Sequence, residues 1–368
     1  MGYIDNLLRG RKVEWKTLGE VAEVRRGERV TKRELNTNSC VKFPVFSGGV
    51  TPMGFYTKHN QAANTITVVK YGTAGFVNFI TEEFWANDVC YCIKPLTQVN
   101  NKYLFYILKN KQELIYSLTT EAIPKHLPSF ALIQIPIPLP PLDVQVEIAR
   151  ILDRFTALEA ELEAELEARQ KQYEYYRGRL LTFDKTRTDV EWKTLGEVAE
   201  YEQPSKYLVH STKYNDSFPT PVLTAGKSFI LGYTDESSGI YRASEAPIIL
   251  FDDFTTASRW VDFNFKVKSS ATKIITSRDE GVVLLKYIYY WLNTLPSECV
   301  EGDHKRRWIS TFTIKKIPLP PLAEQERIVR ILDKFTALTT SLTAGLPREI
   351  ALRRRQYEYY REQLLSFE

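Results

Sequence analysis

The sequence Val-Glu-Trp-Lys-Thr-Leu-Gly-Glu-Val-Ala-Glu occupies residues 13–23 and recurs without a change at residues 190–200. Three further strings return in the same order: Ile-Pro-Leu-Pro-Pro-Leu at 137–142 and 317–322, Ile-Leu-Asp-[Arg/Lys]-Phe-Thr-Ala-Leu at 151–158 and 331–338, and Gln-Tyr-Glu-Tyr-Tyr-Arg at 172–177 and 356–361. Because strings of this length do not recur by chance, the chain is predicted to consist of two tandem units of one fold.

The interiors of the two units, residues 24–135 and 201–315, are much less alike than their flanks. A shared scaffold with divergent interiors favours two domains of one fold that bind different targets. The alternative is drift after an old duplication, but drift alone would not spare the flanks so selectively.

The composition is that of an ordinary globular protein, with 43% hydrophobic and 26% charged residues among 368. A net charge of +4 is compatible with a nucleic-acid partner but does not prove one. Four cysteines are too few and too scattered for a disulfide framework or a structural zinc site, and the spacing of Cys90 and Cys92 favours packing in a strand. The sequence has no apolar run of membrane-spanning length and no signal-peptide pattern, so a reduced, cytoplasmic protein is expected.

Short apolar runs rich in β-branched and aromatic residues, such as 65–69 and 247–251, alternate with turn signals inside each unit. Helical periodicity follows at 103–108 and 287–292. The fold class is therefore predicted to be α+β, with two tandem domains of mixed, mainly antiparallel sheet. The predicted boundaries are an N-terminal segment 1–12, a first domain 13–142, a long helix 143–183, a linker 184–189, a second domain 190–322 and a second long helix 323–368.

Beyond each Pro-Pro-Leu, apolar residues recur at steps of three or four, which is the spacing of one stripe on a helix. Two such helices in one chain are predicted to pack as an intramolecular antiparallel coiled coil, which would relate the two domains by a pseudo-two-fold axis. The alternative is that the stripes serve homodimerisation. The stripe residues expected to pack are Leu152, Phe155, Leu158, Leu162, Leu166, Leu332, Phe335, Leu338, Leu342 and Leu346.

A four-residue module, Glu-Ala-Glu-Leu, fills residues 159–162 and 163–166 of the first long helix. Looser forms fill residues 339–350, so the second helix carries one module more. Each module adds about 6 Å and turns the apolar stripe by roughly 40°. Pro347, which closely follows Gly345, is expected to kink or fray the second helix.

The sequence lacks the motifs of a catalytic site. It has no Gly-x-x-x-x-Gly-Lys-[Ser/Thr] phosphate loop, no Gly-x-Gly-x-x-Gly cofactor loop and no Asn/Asp-Pro-Pro-aromatic pocket of an amino-methylating DNA enzyme. Its four histidines form no metal-binding or triad pattern by spacing. Asp252-Asp253 could bind a metal, but an exposed turn is the favoured interpretation. No catalytic residue, metal ligand or cofactor bound by this chain is therefore expected.

Lysine and arginine beside polar or glycine-rich backbone are typical of phosphate contacts, and polar or aromatic side chains at a rim are typical of base contacts. Segments 25–33, 70–73, 121–126 and 304–308 have this character, and the last two lie at corresponding places in the two units. A charged run is usually a solvated surface, so this paired location is the stronger argument. The candidate DNA-binding residues are Arg25, Arg26, Arg29, Lys32, Arg33, Lys70, Tyr71, Lys125, His126, His304, Lys305, Arg306, Arg307 and Trp308.

The duplicated Glu-Trp-Lys-Thr-Leu-Gly-Glu-Val starts, Ile-Pro-Leu-Pro-Pro-Leu closers and Ile-Leu-Asp-[Arg/Lys]-Phe helices resemble the specificity subunit of type I restriction–modification systems over essentially the whole chain. The resemblance implies a non-catalytic subunit whose two target-recognition domains each read one half of a gapped sequence in double-stranded DNA. The four-residue modules look like the family's spacer element, whose number tunes the gap.

The resemblance also implies partners. Two methyltransferase subunits would bring S-adenosylmethionine, and two motor-nuclease subunits using ATP and Mg would join for cleavage; no membrane partner is implied. The alternatives are a stand-alone DNA methyltransferase and a coiled-coil scaffold that carries two domains binding something other than DNA.

Overall fold

The structure is a computed structural model that describes residues 3–35, 42–224, 229–296, 307–341 and 344–367. Contacts divide the chain into two compact units. Unit 1 comprises residues 1–163 together with 349–368, and unit 2 comprises residues 164–348. The division therefore falls inside the long helices, and the C-terminal segment belongs to the unit that contains the N-terminus.

Unit 1 contains three small sheets with helices packed against them. Its elements are α1 (Tyr3–Leu8), β1 (Glu14–Thr17), α2 (Leu18–Val21), β2 (Ala22–Arg26), β3 (Phe43–Phe46), β4 (Gly54–Tyr56), β5 (Thr65–Val69), β6 (Val77–Ile80), β7 (Trp85–Ala86), β8 (Cys90–Pro95), α3 (Asn101–Asn110), α4 (Gln112–Ser117), α5 (Ser129–Ile133), β9 (Pro136–Leu139) and the start of α6 (Leu142–Leu180). An antiparallel sheet has the order β2-β8-β5-β6, a second sheet has the order β4-β3-β7 with β3 and β7 parallel, and β1 pairs with β9.

Unit 2 repeats this topology strand for strand. Its elements are β10 (Glu191–Thr194), α7 (Leu195–Val198), β11 (Ala199–Glu202), β12 (Thr220–Leu223), β13 (Ile230–Thr234), β14 (Ile248–Asp252), β15 (Ser258–Val261), β16 (Lys266–Val267), β17 (Thr272–Ser277), α8 (Leu285–Leu292), β18 (Lys316–Leu319) and α9 (Leu322–Thr340), and α10 (Leu346–Leu365) follows. The sheets have the orders β11-β17-β14-β15, β13-β12-β16 and β10-β18. The predicted tandem α+β fold is confirmed.

The repeated start of each unit forms the same local structure. The Glu20 carboxylate accepts hydrogen bonds from the Thr17 backbone N–H and hydroxyl, both at 2.7 Å, and caps α2. These bonds lower the pKa of Glu20. Gly19 lies so close to α5 that a Cβ would stand 3.2 Å from the Ile133 Cβ. The second copy builds the same capping box at residues 194–197, so the identical letters encode an identical turn.

The sequence patterns placed the main elements correctly. The run at 65–69 is β5 and the run at 247–251 is β14 shifted by one residue, while the helical patterns at 103–108 and 287–292 lie inside α3 and α8. Cys90 and Cys92 are buried thiols in β8. Within the described ranges, none of the helices combines the length and apolar character needed to cross a membrane.

The long helices pack on one another within each unit, as predicted for an intramolecular coiled coil. In unit 1, Phe155 of α6 stacks on Tyr360 of α10 with ring centroids 5.2 Å apart, and Arg354 bonds Glu159 at 2.5 Å and also Glu163. Residue numbers rise along α6 as the numbers of their partners fall along α10, so the packing is antiparallel. In unit 2, the ring centroids of Tyr173 and Tyr176 of α6 lie 6.2 and 5.8 Å from the ring centroid of Phe335 of α9. Helices α6, α9 and α10 are called the spacer helices below.

The second spacer helix is divided rather than merely kinked. Helix α9 ends at Thr340 and α10 begins at Leu346, so the helix expected over 323–368 is two helices. Gly345 has a φ of 101°, and a Cβ there would stand 2.5 Å from the Ala337 carbonyl oxygen. Only glycine fits this left-handed position, and the following proline cannot supply an N–H to continue α9.

The predicted stripe residues differ in burial. Leu152 and Leu332 are fully buried, whereas Leu338 is 36% exposed because α9 ends two residues later. Leu342 lies outside the described residues. The half-buried members of the stripe are Phe155, Leu158, Leu162, Leu166, Phe335 and Leu346.

Candidate nucleic-acid interface

The structure brings two of the predicted basic segments of unit 1 together. Lys70 follows β5, and its carbonyl accepts a 2.9 Å hydrogen bond from the Leu127 N–H, which draws residues 125–127 alongside. Tyr71 and His126 form a β-bridge, and their rings stack with centroids 5.4 Å apart at 26°. The Lys70 ammonium lies 5.1 Å from the Tyr71 ring. A cation and two stacked rings thus share one edge of the sheet, and the exposed Lys125 precedes them.

The end of β2 adds two arginines to this edge. Arg25 and Arg26 are both exposed. Arg26 lies opposite Tyr91 in the antiparallel pairing of β2 with β8, and the Tyr91 ring lies 5.8 Å from the Lys70 ammonium. The Arg26 guanidinium donates to the Asp88 carbonyl at 3.1 and 3.3 Å, and Arg25 pairs with Glu23 at 2.5 Å. The residues Arg25, Arg26, Lys70, Tyr71 and His126 are called the basic rim of unit 1 below.

Glycines shape the turn beside the basic rim. Gly72 has a φ of 94°, and a Cβ on it would stand 2.3 Å from the Gly48 carbonyl oxygen. The Thr73 N–H and hydroxyl both donate to that oxygen, at 2.8 and 3.1 Å. This close approach of two loops explains why glycine stands at positions 48 and 72. It also leaves Lys70 at an accessible end of β5.

The remaining predicted cations of unit 1 lie on a separate exposed segment. Arg29, Lys32 and Arg33 are all exposed. Their segment is held at Val30, which exchanges backbone hydrogen bonds with the Asn87 side chain at 3.0 and 3.3 Å, and at Thr31, which is capped by a nearby carboxylate. Exposed cations on either side of an anchored stretch of backbone suit contact with a phosphate backbone.

In unit 2, Asp253 occupies the place that Lys70 holds in unit 1. The Asp253 N–H donates to the Ala271 carbonyl as the Lys70 N–H donates to Val89, and the Arg307 N–H donates to the Asp253 carbonyl as Leu127 does to Lys70. Asp252 and Asp253 are 5% and 0% exposed, so the interpretation of this pair as an exposed turn is wrong. Asp253 instead forms a fully buried ion pair with Lys273 at 3.0 Å. Among the described residues, no three His, Cys, Asp or Glu side chains gather as metal ligands.

The predicted basic segment of unit 2 is described only in part. His304, Lys305 and Arg306 lie outside the described residues. Arg307 is half-buried, and Trp308 is 1% exposed with its ring 5.0 Å from Phe251. The expectation that Trp308 contacts DNA is therefore corrected, because its side chain is part of the core of unit 2.

Two exposed cations of unit 2 were not found from the sequence. Arg259 lies on β15 with its guanidinium 5.8 Å from the Phe229 ring, and the Lys268 ammonium lies 5.9 Å from the Tyr214 ring. Arg259 has no basic neighbour in sequence, and Lys268 has only Lys266 nearby, so no extended basic run marks either residue. The tertiary fold brings these cations beside aromatic rings that are distant in sequence, an arrangement suited to stacking on bases.

Known proteins share this duplicated arrangement. A family model described as "Type I restriction modification DNA specificity domain" matches residues 11–168 and 188–352, once in each copy. The Type I restriction enzyme EcoR124I/EcoR124II specificity subunit of Escherichia coli is 63% identical over 186 residues, which are 49% of this chain and 45% of that protein. A Haemophilus influenzae protein named as a type I restriction enzyme specificity subunit is 32% identical over 99% of this chain and 98% of its own length.

A solved structure shows the same fold. The crystal structure of a Type I restriction–modification system S subunit from M. genitalium aligns with a TM-score of 0.69 at 18% identity, covering 97% of each chain. The family model covers both copies of the repeat, and the Haemophilus influenzae relative matches almost from end to end. The chain therefore belongs to the family of type I restriction–modification DNA specificity subunits.

Proposed function

We propose that each unit reads one half of a bipartite, gapped sequence in double-stranded DNA, and that the spacer helices set the gap. The observation that carries the proposal is one fold built twice with different charges at the same edge: Lys70 in unit 1 and the internally paired Asp253 in unit 2. Two domains of one fold whose side chains differ at this edge suit two different half-sites. Requiring both at once multiplies specificity, although neither half-site alone is bound tightly.

The basic rim of unit 1 supplies the contacts that such reading needs. Arginine and lysine position phosphates and also bond guanine edges, and stacked rings offer flat apolar surfaces to bases. We assign the phosphate contacts to the exposed Arg29, Lys32, Arg33 and Lys125, and base contacts to the basic rim itself. In unit 2 the corresponding contacts are assigned to His304, Lys305, Arg306 and Arg307.

The chemistry of modification belongs to partners in this proposal. Two methyltransferase subunits dock on the chain and carry S-adenosylmethionine, and two motor-nuclease subunits carry ATP and Mg where cleavage occurs, all in the cytoplasm. This chain then contributes recognition and geometry. The rival functions, a stand-alone methyltransferase or a scaffold that ignores DNA, have no specific observation in their favour.

The test is co-expression of this chain with its modification subunit in a methylation-free host, followed by modified-base sequencing of the genome. A two-part motif with a fixed gap is the expected result. A stable complex that leaves the genome unmethylated, and that binds no genomic fragment, would contradict the proposal in favour of the scaffold.

A further inference from the structure

The helix that packs on the spacer is one part of each interior where the two copies still agree. Residues 102–108 read Lys-Tyr-Leu-Phe-Tyr-Ile-Leu, and residues 286–292 read Lys-Tyr-Ile-Tyr-Tyr-Trp-Leu. The lysine, the tyrosines at 103/287 and 106/290 and the final leucine are unchanged, although the sequences around them have diverged. These polar residues therefore mark contacts that both domains require.

In unit 1 the retained residues bind the first part of α6. Tyr106 is 3% exposed, and its hydroxyl donates to Asp153 Oδ1 at 2.6 Å. The Lys102 ammonium reaches the same oxygen at 3.1 Å, and the Thr156 hydroxyl lies 3.4 Å from the tyrosine oxygen. Burial and the hydrogen bond to Asp153 raise the pKa of Tyr106, so its hydroxyl stays protonated and remains a donor.

Unit 2 builds the same cluster on α9. Tyr290 is 1% exposed, and its hydroxyl donates to Asp333 Oδ1 at 2.5 Å. The Lys286 ammonium lies 3.0 Å from that oxygen, and the Thr336 hydroxyl lies 3.3 Å from Tyr290. The aspartate and threonine come from the duplicated spacer string, whereas the tyrosine and lysine come from the divergent interiors. The pairing therefore joins the variable part of each unit to the constant part.

A buried glutamine provides a second attachment in each unit. Gln145 is 2% exposed; its Oε1 accepts from the Asn100 N–H at 2.9 Å and its Nε2 donates to the Pro140 carbonyl at 2.9 Å. Gln325 makes the matching bonds to Leu284 and Pro320. The glutamine and the aspartate of one spacer helix are about 12 Å apart along its axis, so together they fix an angle as well as a position.

We propose that the tyrosine–aspartate clamp, Tyr106–Asp153 in unit 1 and Tyr290–Asp333 in unit 2, determines how strictly the gap between half-sites is measured. Apolar residues of α6 also pack in the core of the domain, and the two polar attachments add directional restraints, so losing one of them makes tilting easier. A tilt of about 10° over a lever of roughly 20 Å moves a contact by about 3.4 Å, which is one base pair. The clamp residues are positioning residues, and the inference rests on the proposed bipartite reading.

The experiment compares gap profiles of full-length variants co-expressed with the modification subunit, using modified-base sequencing because the host genome contains half-sites at every spacing. Tyr106→Phe and Tyr290→Phe should leave both half-sites unchanged. They should raise methylation at gaps one base pair too long or too short by about tenfold, the change expected when one hydrogen bond to a charged group is lost.

Tyr103→Phe is the matched control. Tyr103 is buried on the same helix and its hydroxyl donates to the Pro138 carbonyl at 2.8 Å, so the variant loses a bond of similar length that ends on β9 and not on the spacer. Its gap should stay narrow. Asp153→Ala should broaden the gap, whereas Asp153→Asn, whose amide oxygen still accepts from Tyr106, should keep it narrow; this pair decides the matter if a phenylalanine variant does not assemble.

Two results would overturn the assignment. Equal gap profiles for Tyr106→Phe and Tyr103→Phe, or altered half-site bases in a clamp variant, would show that the clamp serves the fold alone. The unsubstituted chain distinguishes failure of the clamp assignment from failure of the proposed function. If the unsubstituted chain produces no two-part motif, the proposed function is wrong, and the clamp assignment that rests on it is wrong too.

Discussion

The buried ion pair of unit 2 tests how the second domain is stabilised. Asp253 Oδ2 and Lys273 Nζ lie 3.0 Å apart with both side chains fully buried. The other carboxylate oxygen, Oδ1, accepts a 2.7 Å hydrogen bond from the Trp308 N–H. One carboxylate thus neutralises a buried cation and holds the backbone that follows the basic segment 304–307.

Replacing Lys273 with methionine would leave the Asp253 carboxylate charged in the core with no counter-ion. Losing one member of a buried pair typically costs about 3–5 kcal/mol, whereas replacing both members by neutral groups is often close to neutral. Lys273→Met should therefore lower the free energy of unfolding of unit 2 by about 3–5 kcal/mol. The double variant Asp253→Asn/Lys273→Met should recover at least half of this loss, because the asparagine Oδ1 can still accept from Trp308.

The assay is urea unfolding of the full chain followed by tryptophan fluorescence, since the Trp308 ring packs 5.0 Å from Phe251 and reports on unit 2. A double-mutant cycle isolates the coupling between the two charges. Lys70→Met, at the corresponding place in unit 1, is the control and should change stability by less than about 1 kcal/mol, because that lysine is only half-buried and lies over a ring. Equal destabilisation by the single and double variants would refute the reasoning.

Three further outcomes are expected. Lys125→Ala should weaken DNA binding by the assembled complex and reduce its salt slope by about one, as measured by anisotropy over a salt series; an unchanged slope would remove Lys125 from the phosphate contacts. The hydrogen bond from Lys266 and those from two backbone N–H groups hold the pKa of Glu236 at about 2, below its ordinary value, so the stability it contributes is complete above about pH 4 and is lost as the pH falls through 2. Glu236→Gln should accordingly have a lower free energy of unfolding than the parent at neutral pH but not at pH 2. A difference in unfolding free energy that is the same at both pH values would contradict this. Inserting one Glu-Ala-Glu-Leu module after Leu166 lengthens α6 by about 6 Å and should lengthen the recognised gap, whereas an unaltered motif would show that the module does not set it.

The architecture could be predicted because it is encoded locally and twice. Identical flanks such as 13–23 and 190–200 require identical turns, and a capping box needs only neighbouring residues to form. The strand and helix patterns likewise depend on periodicity within one segment. Even the division of the second spacer helix had a local signal in Gly345 and Pro347, although its extent, a break between two helices, exceeded the expected kink.

The pairing of distant charges could not be predicted in the same way. Lys273 lies in the run Thr-Lys-Ile-Ile-Thr at 272–276, and Asp253 directly follows β14. Each alone has the pattern of a solvated charge, and the two meet only because β14 pairs with β17. Trp308 was misassigned for a related reason: basic neighbours in sequence suggested a rim, while its own ring packs between Phe251 and Phe312.

Strand register shows how the two copies diverged at the edge where DNA is proposed to bind. Ile93 of β8 and Ile275 of β17 occupy equivalent positions in the two sheets. With this register, Arg25 corresponds to Glu202, and Tyr91, which lies near Lys70, corresponds to Lys273.

Both units keep the same backbone hydrogen bonds at this edge, although Lys70 of unit 1 is replaced by an acid, Asp253, in unit 2. Both units also keep the tyrosine–aspartate clamp to the spacer helix. If this edge binds DNA as proposed, the two copies differ where the difference changes what each domain binds and agree where each domain is held to its spacer helix. On this argument Lys70 should contribute to binding of the half-site of unit 1 alone, because the corresponding position of unit 2 holds a buried acid that is already paired with Lys273.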